Sequence, residues 1–437
     1  MQRNRPSFIC LSLGAIKEKK INISMKALYL KLKKQKKFVI IVFLVLAILS
    51  IYAAWPKFPQ PPGSVKNVTE LDAYLEKLVN SGTPQGLSMA IVKNDSIVYS
   101  KGFGWADGPR KIQATPQSVY HWWSITKIPT AIAILQLQEQ GKLQLDDAVS
   151  KYLSFFKVKY PSDKSYAITI RQLLNHSSGI PDASAFRLMK WIHHDGEPHL
   201  NQTAFIEKVF PKYSTLKFEP GENTAYTNIG YMLLGAIIEK VSGQSYNDYI
   251  RHYILEPLEM KQTDFVYTKE MEPYEAAGSH PSFNFMSPLL YTMIGSYIRE
   301  TSKKHIWMKR VYTDQEPSSA LIGSTMDAAR LVRAYLNNGM LDGHRILTEK
   351  SIGLMTNDSH VAEANDKGSY FFRQGIGWQV FKEKSGYKLQ HTGGGPGFYT
   401  IMQIYPNDNL GLIMFCNDVT IEKYSWKVLR LGANLNW

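Results

Sequence analysis

Leu71, Tyr74, Leu75 and Leu78 recur three and four residues apart, the stripe of a helix with one buried face. Just beyond it, apolar and polar residues alternate through GLSMAIVKNDSIVYSKGFG on either side of Asn94-Asp95, which predicts two strands joined by a turn. The far end has the same character. LQHTGGGPGFYTIMQIYPNDNLGLIMFCN predicts further strands broken at Pro406-Asn407-Asp408, followed by a last helix through Trp426 and Leu429. Because both ends are of one type, they are expected to pair in one antiparallel sheet. The stretch from Pro129 to about Asn338 is dominated by helical patterns and predicts a largely helical subdomain, so the fold class is α+β: an antiparallel sheet flanked by helices, with a helical lobe.

One pattern lies outside this scheme. Phe38 to Trp55, FVIIVFLVLAILSIYAAW, carries no charge and is just long enough to cross a bilayer core as a helix. Lys31, Lys33, Lys34, Lys36 and Lys37 precede it directly, which orients the N-terminus toward the cytoplasm and the rest of the chain outward. A cleaved signal peptide has a similar layout, but Ser50-Ile51-Tyr52 and Tyr52-Ala53-Ala54 put large residues where a cleavage site wants small ones, so a retained anchor is expected. The domains then read as a basic N-terminus at 1–37, a transmembrane anchor at 38–55, a stiff linker at 56–64 holding Pro56, Pro59, Pro61 and Pro62, and a folded body at 65–437. Residues 1–24 precede a second methionine, Met25, and read as an extension rather than a domain. The expected location is the cell membrane, single-pass, with the body extracytoplasmic, in the periplasm if the cell has one.

The charge changes meaning once located. Of the formal +14, eleven Lys and Arg against Glu18 alone put +10 in residues 1–37. The remainder carries only +4, without the basic face interleaved with stacking aromatics that DNA or RNA would require, so nucleic acid is set aside. The two cysteines cannot pair across the membrane: Cys10 precedes the anchor, and Cys416 sits in the strand-like run LGLIMFC. Neither H-E-x-x-H nor C-x-x-C occurs, and the adjacent His193 and His194 read as a solvated loop rather than a metal site.

Candidate chemistry begins in HWWSITKIPTAIAILQLQEQGKL. Ser124 opens a long apolar helix and Lys127 lies three residues on, so both fall on one face, at an end where free N–H groups favour developing negative charge. A serine needs a neighbouring base near neutral pH, and a desolvated lysine supplies one. The spacing alone says little, because Ser154/Lys157, Ser214/Lys217 and Ser385/Lys388 share it, and a capping serine beside a solvated lysine is the plainer alternative. Context favours Ser124, the one of the four that heads an apolar helix. Tyr226-Thr227-Asn228 stands in a loop between Pro220-Gly221 and a buried-looking helix, where Tyr226 can exchange protons with Ser124 if Lys127 lowers its pKa, and Asn228 can bind a substrate amide. Tyr335/Asn337 and Tyr405/Asn407 repeat the pattern in structural settings. Finally, His391-Thr392-Gly393-Gly394-Gly395 puts three glycines at a strand edge, fit for close approach to a ligand or equally for a plain turn; Lys384-Ser385-Gly386 competes but lacks the further glycines.

In this order, S-x-x-K, Y-x-N and [KH]-T-G resemble the serine β-lactamase and D-alanyl-D-alanine peptidase superfamily, in the branch of class C β-lactamases, D-Ala-D-Ala carboxypeptidases and related esterases. IRQLLNHSSGIPD (Ile170 to Asp182) and ALIGSTMDAARLVRAYLNNG (Ala320 to Gly339) extend the likeness, which covers about Thr69 to Asn417. The resemblance implies an acyl-enzyme on Ser124, proton work shared by Lys127 and Tyr226, amide orientation by Asn228, and His391 and Thr392 facing the substrate carboxylate or leaving side. It also implies an oxyanion hole from the N–H groups of Ser124 and Gly394, with Gly393 in the same substrate-binding strand, and it implies no cofactor. The expected substrate is a peptidoglycan-like D-amino-acid peptide, or a small ester or amide.

Two departures shape the substrate. His391 stands where class C β-lactamases carry Lys, which replaces a fixed ammonium with a titratable imidazole, and no counterpart of a separate deacylating Glu is found. Peptide or ester hydrolysis is therefore expected ahead of β-lactam hydrolysis. The alternatives are a class C-like β-lactamase and a slowly acylating, penicillin-recognising sensor. The stretch from Glu272 to Gln315 matches nothing in the family pattern and is read as a lid or membrane-facing patch.

Overall fold

The computed structural model describes residues 59–163, 166–197, 201–282, 291–292, 295–361, 372–383 and 386–437, together with five positions between 40 and 50. The chain divides into one unit of Met1–Pro56 with Phe283–Phe285 and a second of Lys57–Ser282 with Met286–Trp437, and the second carries all that follows. Among the described residues no helix is long and apolar enough to cross a membrane. The 38–55 segment and the basic stretch before it lie almost wholly outside them.

The body is α+β, built on an antiparallel sheet with nine strands among the described residues. In chain order these are β1 (Gly86–Lys93), β2 (Ser96–Asp107), β3 (Ile112–Gln113), β4 (His360–Val361), β5 (Phe372–Gln374), β6 (Gln379–Glu383), β7 (Gly386–Gly395), β8 (Phe398–Tyr405) and β9 (Leu410–Cys416). Their spatial order is β4-β5-β6-β7-β8-β9-β1-β2-β3, so the first strand of the domain closes against its last, as the matching patterns of the two ends predict. The β1–β2 turn sits at Asn94 and Asp95, both at positive φ, a conformation asparagine and aspartate tolerate better than most residues.

Both sheet faces are covered, which explains why β1 and β9 read as unbroken apolar runs. Met89, Ile91, Leu412 and Met414 face α1 (Val68–Asn80) and α6 (Glu422–Ala433), packing with Leu71, Leu75, Leu78, Val428 and Leu429. The alternate residues Ala90, Val92, Ile413 and Phe415 face the larger cluster holding α2 (Lys127–Glu139), α3 (Asn228–Ser242) and α5 (Thr325–Leu336). Cys416 is buried in this sheet as a free thiol.

Between the lobes, α2 and α3 are buried on nearly every side, and their apolar residues do not segregate to one face. Thr227 caps α3 by accepting from Gly230 N, and Gly243 ends it at φ 74°, a left-handed position that suits glycine. The short helix α4 (Glu316–Ser319) is clamped against α2, with Thr130 Oγ1 donating to Pro317 O at 2.6 Å.

One expectation is refined and another needs correction. The largely helical middle also holds strands: Ser279–Pro281, Ile298–Ser302 and His305–Met308 form a small antiparallel sheet within the 272–315 stretch. Its Trp307 is buried and Arg310 grips Glu275, so these flanks are packed into the body. Residues 283–290 and 293–294 of that stretch lie outside the described residues. His193 and His194 are not a solvated loop. Ile192–His193 pairs with Tyr312–Thr313, His193 Nδ1 lies 2.7 Å from Asp314, and His194 Nδ1 lies 3.0 Å from the Arg310 carbonyl oxygen.

Candidate active site

Ser124 does not open the α-helix itself. It lies in a 3₁₀ turn, Trp123–Thr126, and α2 begins at Lys127. The turn is entered through Trp123 at φ 47°, an uncommon conformation for a tryptophan. His121 stacks on its ring with centroids 4.9 Å apart, and Gly395 lies beneath it, where a Cβ would come within 2.5 Å of the indole. These neighbours hold a strained residue directly before the hydroxyl.

Lys127 is fully buried, and its three ammonium hydrogens have three acceptors: Asn228 Oδ1 at 2.7 Å, Ser318 O at 2.9 Å and Ser124 Oγ at 3.3 Å. Burial penalises the charged amine and lowers its pKa to about 7, with Asp182 pulling in the opposite direction. Asn228, the first residue of α3, is a bridge: its oxygen accepts from Lys127 and its Nδ2 donates to Asp182 Oδ2 at 2.9 Å. The Asp182 carboxylate also accepts the backbone N–H groups of Asn228 and Ile229 at the N-terminus of α3, at 2.9 and 3.4 Å. The expected grip of Asn228 on a substrate amide is thus largely spent within the protein, although the residue still borders the cleft.

Tyr226 completes the cluster from the loop before α3. Lys127 Nζ stands 4.8 Å above its ring, the His176 ring lies 4.5 Å away and the His391 ring 6.4 Å. Its phenol hydrogen-bonds Ser124, yet burial dominates and pushes its pKa up, contrary to the lowering expected from Lys127. A neutral tyrosine relays a proton, whereas the neutral amine of Lys127 is the stronger candidate to take one.

His391 is buried, with Nδ1 2.9 Å from the Thr392 carbonyl oxygen. Burial and the nearby Lys127 charge lower its pKa to about 3, so the imidazole is neutral across the physiological range and is no cation for a substrate carboxylate. Strand β6 begins at Gln379 opposite Gln390, so residues 391–395 pair with β8 alone among the described strands. Gly393 is forced by packing: a Cβ there would lie 2.0 Å from Trp122 O and 2.4 Å from Thr400 Oγ1. Gly394 is exposed, with its nearest such neighbour at 3.7 Å.

Ser124, Asn228 and Gly394 meet in one cleft of about 120 Å³, whose lining also includes Trp123, Gln315 and Ser319. Lys127 and Tyr226 hydrogen-bond Ser124, and His391 lies beside Tyr226 but does not line the cleft. Thr392 and Gly393 belong to the same strand but not to the cleft lining. Four residues that matter here escape motif reading. Asp182 and His176 lie in NHSSGIPD, where His176 Nδ1 accepts from Thr227 N at 3.2 Å. Ser318 acts through a backbone carbonyl, which leaves no sequence signal, and Gln315 sits in an irregular stretch.

The family described as Beta-lactamase matches residues 71–430 of the chain. Protein flp of Staphylococcus aureus strain MW2 is 30% identical over 349 residues, covering 80% of this chain and 62% of that protein, so the chain spans under two thirds of the relative's length. Among solved structures, the octameric penicillin-binding protein homologue from Pyrococcus abyssi superposes with a TM-score of 0.61 at 26% identity, covering 83% of this chain and 77% of that one. The D-amino acid amidase from Ochrobactrum anthropi SV3, in complex with D-phenylalanine, shares the fold with a TM-score of 0.67 at 21% identity, over 84% of this chain and 99% of that one.

Proposed function

The chain belongs to the Beta-lactamase family, a family of serine hydrolases, over residues 71–430, and from that premise we propose that it cleaves a D-amino-acid peptide or ester through an acyl-enzyme on Ser124. Neutral Lys127 takes the Ser124 proton as Oγ adds to the substrate carbonyl carbon. The N–H groups of Ser124 and Gly394 receive the developing oxyanion. Collapse of the adduct breaks the bond to the leaving group, which takes a proton relayed through Lys127 and Tyr226. Water then adds to the acyl-enzyme by the same proton route and releases the acid.

The observation that carries this reading is Lys127, fully buried, 3.3 Å from Ser124 Oγ and held at about pKa 7, which puts a useful fraction of neutral amine beside the hydroxyl at physiological pH. The test uses the detergent-solubilised full chain with a p-nitrophenyl ester, a D-alanyl-D-alanine peptide and a chromogenic cephalosporin, wild type against Ser124→Ala. Turnover of the ester or peptide that Ser124→Ala abolishes supports the reading. Stable labelling by a fluorescent penicillin without turnover of any substrate would convert it to a sensor, and faster cephalosporin than ester turnover to a β-lactamase.

The same proposal holds the body outside the cell membrane on a helix at 38–55, on the strength of the uncharged run and the five lysines before it. Full protease sensitivity of the body in spheroplasts, with retention in carbonate-washed membranes, is the expected result. Release of the body into the medium contradicts it.

A further inference from the structure

The proposed chemistry leaves the substrate's own charge open, and the cleft speaks to it. Its apolar wall consists of Trp123, Ala185, Leu188, Met189, Ile192 and Pro396. Its polar lining is uncharged, formed by hydroxyls, carboxamides and glycine backbone, and no Lys, Arg, Asp or Glu lines it among the described residues. The cations nearest the reacting serine are unavailable. Lys127 is fully buried with acceptors for all three of its hydrogens. His391 is buried, does not line the cleft, and is neutral. Arg187 and Lys190 stand on the wall segment but outside the lining, with Lys190 Nζ 4.3 Å over the Phe186 ring.

A carboxylate brought into such a cleft loses its water and finds no counter-ion, a cost that a neutral group escapes. Apolar atoms placed against Trp123, Leu188 and Ile192 instead gain by burial.

Resting on the acyl-enzyme reading above, we infer that the site selects substrates uncharged on both sides of the scissile bond, with an apolar acyl part and a leaving group free of carboxylate. An ester or an amidated peptide meets this requirement. A peptide ending in a free carboxylate does not. The reaction stays the same, ester or amide plus water giving acid plus alcohol or amine, and the acid produced is itself poorly held, which favours its release.

The test pairs substrates that differ only in charge, with the full-length chain at pH 8. On the acyl side, p-nitrophenyl butyrate is compared with mono-p-nitrophenyl succinate; on the leaving side, the phenyl ester of N-acetyl-D-alanine is compared with its 4-carboxyphenyl ester. After correction for intrinsic reactivity, kcat/KM should favour the neutral member of each pair by tenfold or more. Met189→Lys, which places an ammonium on the wall, should raise the succinate-to-butyrate ratio at least fivefold. Equal rates, a preference for the charged member, or an unmoved ratio in Met189→Lys each overturn the inference while leaving Ser124 its role. Absence of any Ser124-dependent turnover overturns the parent reading, and this one with it.

Discussion

Asp182→Asn is the substitution whose effect the geometry fixes best. The Asp182 carboxylate is joined to Lys127 through the Asn228 carboxamide, with hydrogen bonds of 2.9 Å on one side and 2.7 Å on the other. Its negative charge favours the protonated amine, against the burial that lowers the Lys127 pKa to about 7. Charges separated by roughly 6 Å in a medium of effective dielectric about 20 interact by about 3 kcal/mol, roughly two pKa units at most. Asparagine keeps the hydrogen-bonding shape and removes the charge, so the lysine should lose its proton one to two units earlier. If neutral Lys127 is the base, the acid limb of kcat/KM moves from about pH 7 in the wild type toward about 5 to 6 in the variant.

The assay is p-nitrophenyl ester hydrolysis from pH 5 to 10, read at the isosbestic wavelength of p-nitrophenol. At pH 5.5 the variant should retain about tenfold more of its own plateau activity than the wild type does. Loss of the carboxylate at the α3 N-terminus should also cost about 1 kcal/mol of stability, visible as a lower Tm. A limb that stays at pH 7, or rises, would refute the assignment of Lys127 as the titrating base.

Three further outcomes follow from packing and burial. Gly393→Ala must push Trp122 O and Thr400 Oγ1 aside while they hydrogen-bond each other at 2.9 Å, and should cost roughly 1–3 kcal/mol by thermal denaturation. Gly394→Ala, one residue on, meets nothing closer than 3.7 Å and should melt within a few degrees of the wild type; equal melting of the two variants contradicts the packing account. Asp418 is fully buried with Oδ2 unpartnered, and burial raises its pKa to about 7. The folded chain therefore keeps a proton that the unfolded chain has lost, so stability should fall as pH rises from about 4 to about 7, by up to about 4 kcal/mol, and then level off. Asp418→Asn should flatten that slope in urea titrations across the same range, and an unchanged slope would assign it elsewhere.

The parts of the site legible in the sequence are those carried by periodic elements. Ser124 and Lys127 stand out because an apolar helix follows them, and Tyr226 and Asn228 because a capped helix begins there. The β1–β2 pair and the β7 to β9 run were visible for the same reason: continuous or alternating apolar residues bounded by turn formers. What stayed hidden lacks periodicity or acts through backbone. Ser318 holds Lys127 by its carbonyl, Asp182 works at one remove through Asn228, and β4 and β5, at one side of the sheet, are only two and three residues long. The electrostatic expectations for Tyr226 and His391 went astray because burial, a property of the assembled fold, outweighs neighbouring charge at both positions. The same burial puts the Lys127 pKa near 7, in the direction expected of a desolvated lysine beside Ser124.

The central claim is that Ser124 becomes covalently acylated. Intact-protein mass spectrometry of the full chain, acid-quenched within seconds of mixing with p-nitrophenyl butyrate or a penicillin, measures it directly. The account predicts one acyl adduct per chain, mapping to the peptide that holds Ser124, absent from Ser124→Ala and strongly reduced in Lys127→Ala. Steady ester turnover with an adduct on another residue, or undiminished turnover by Ser124→Ala, would contradict it.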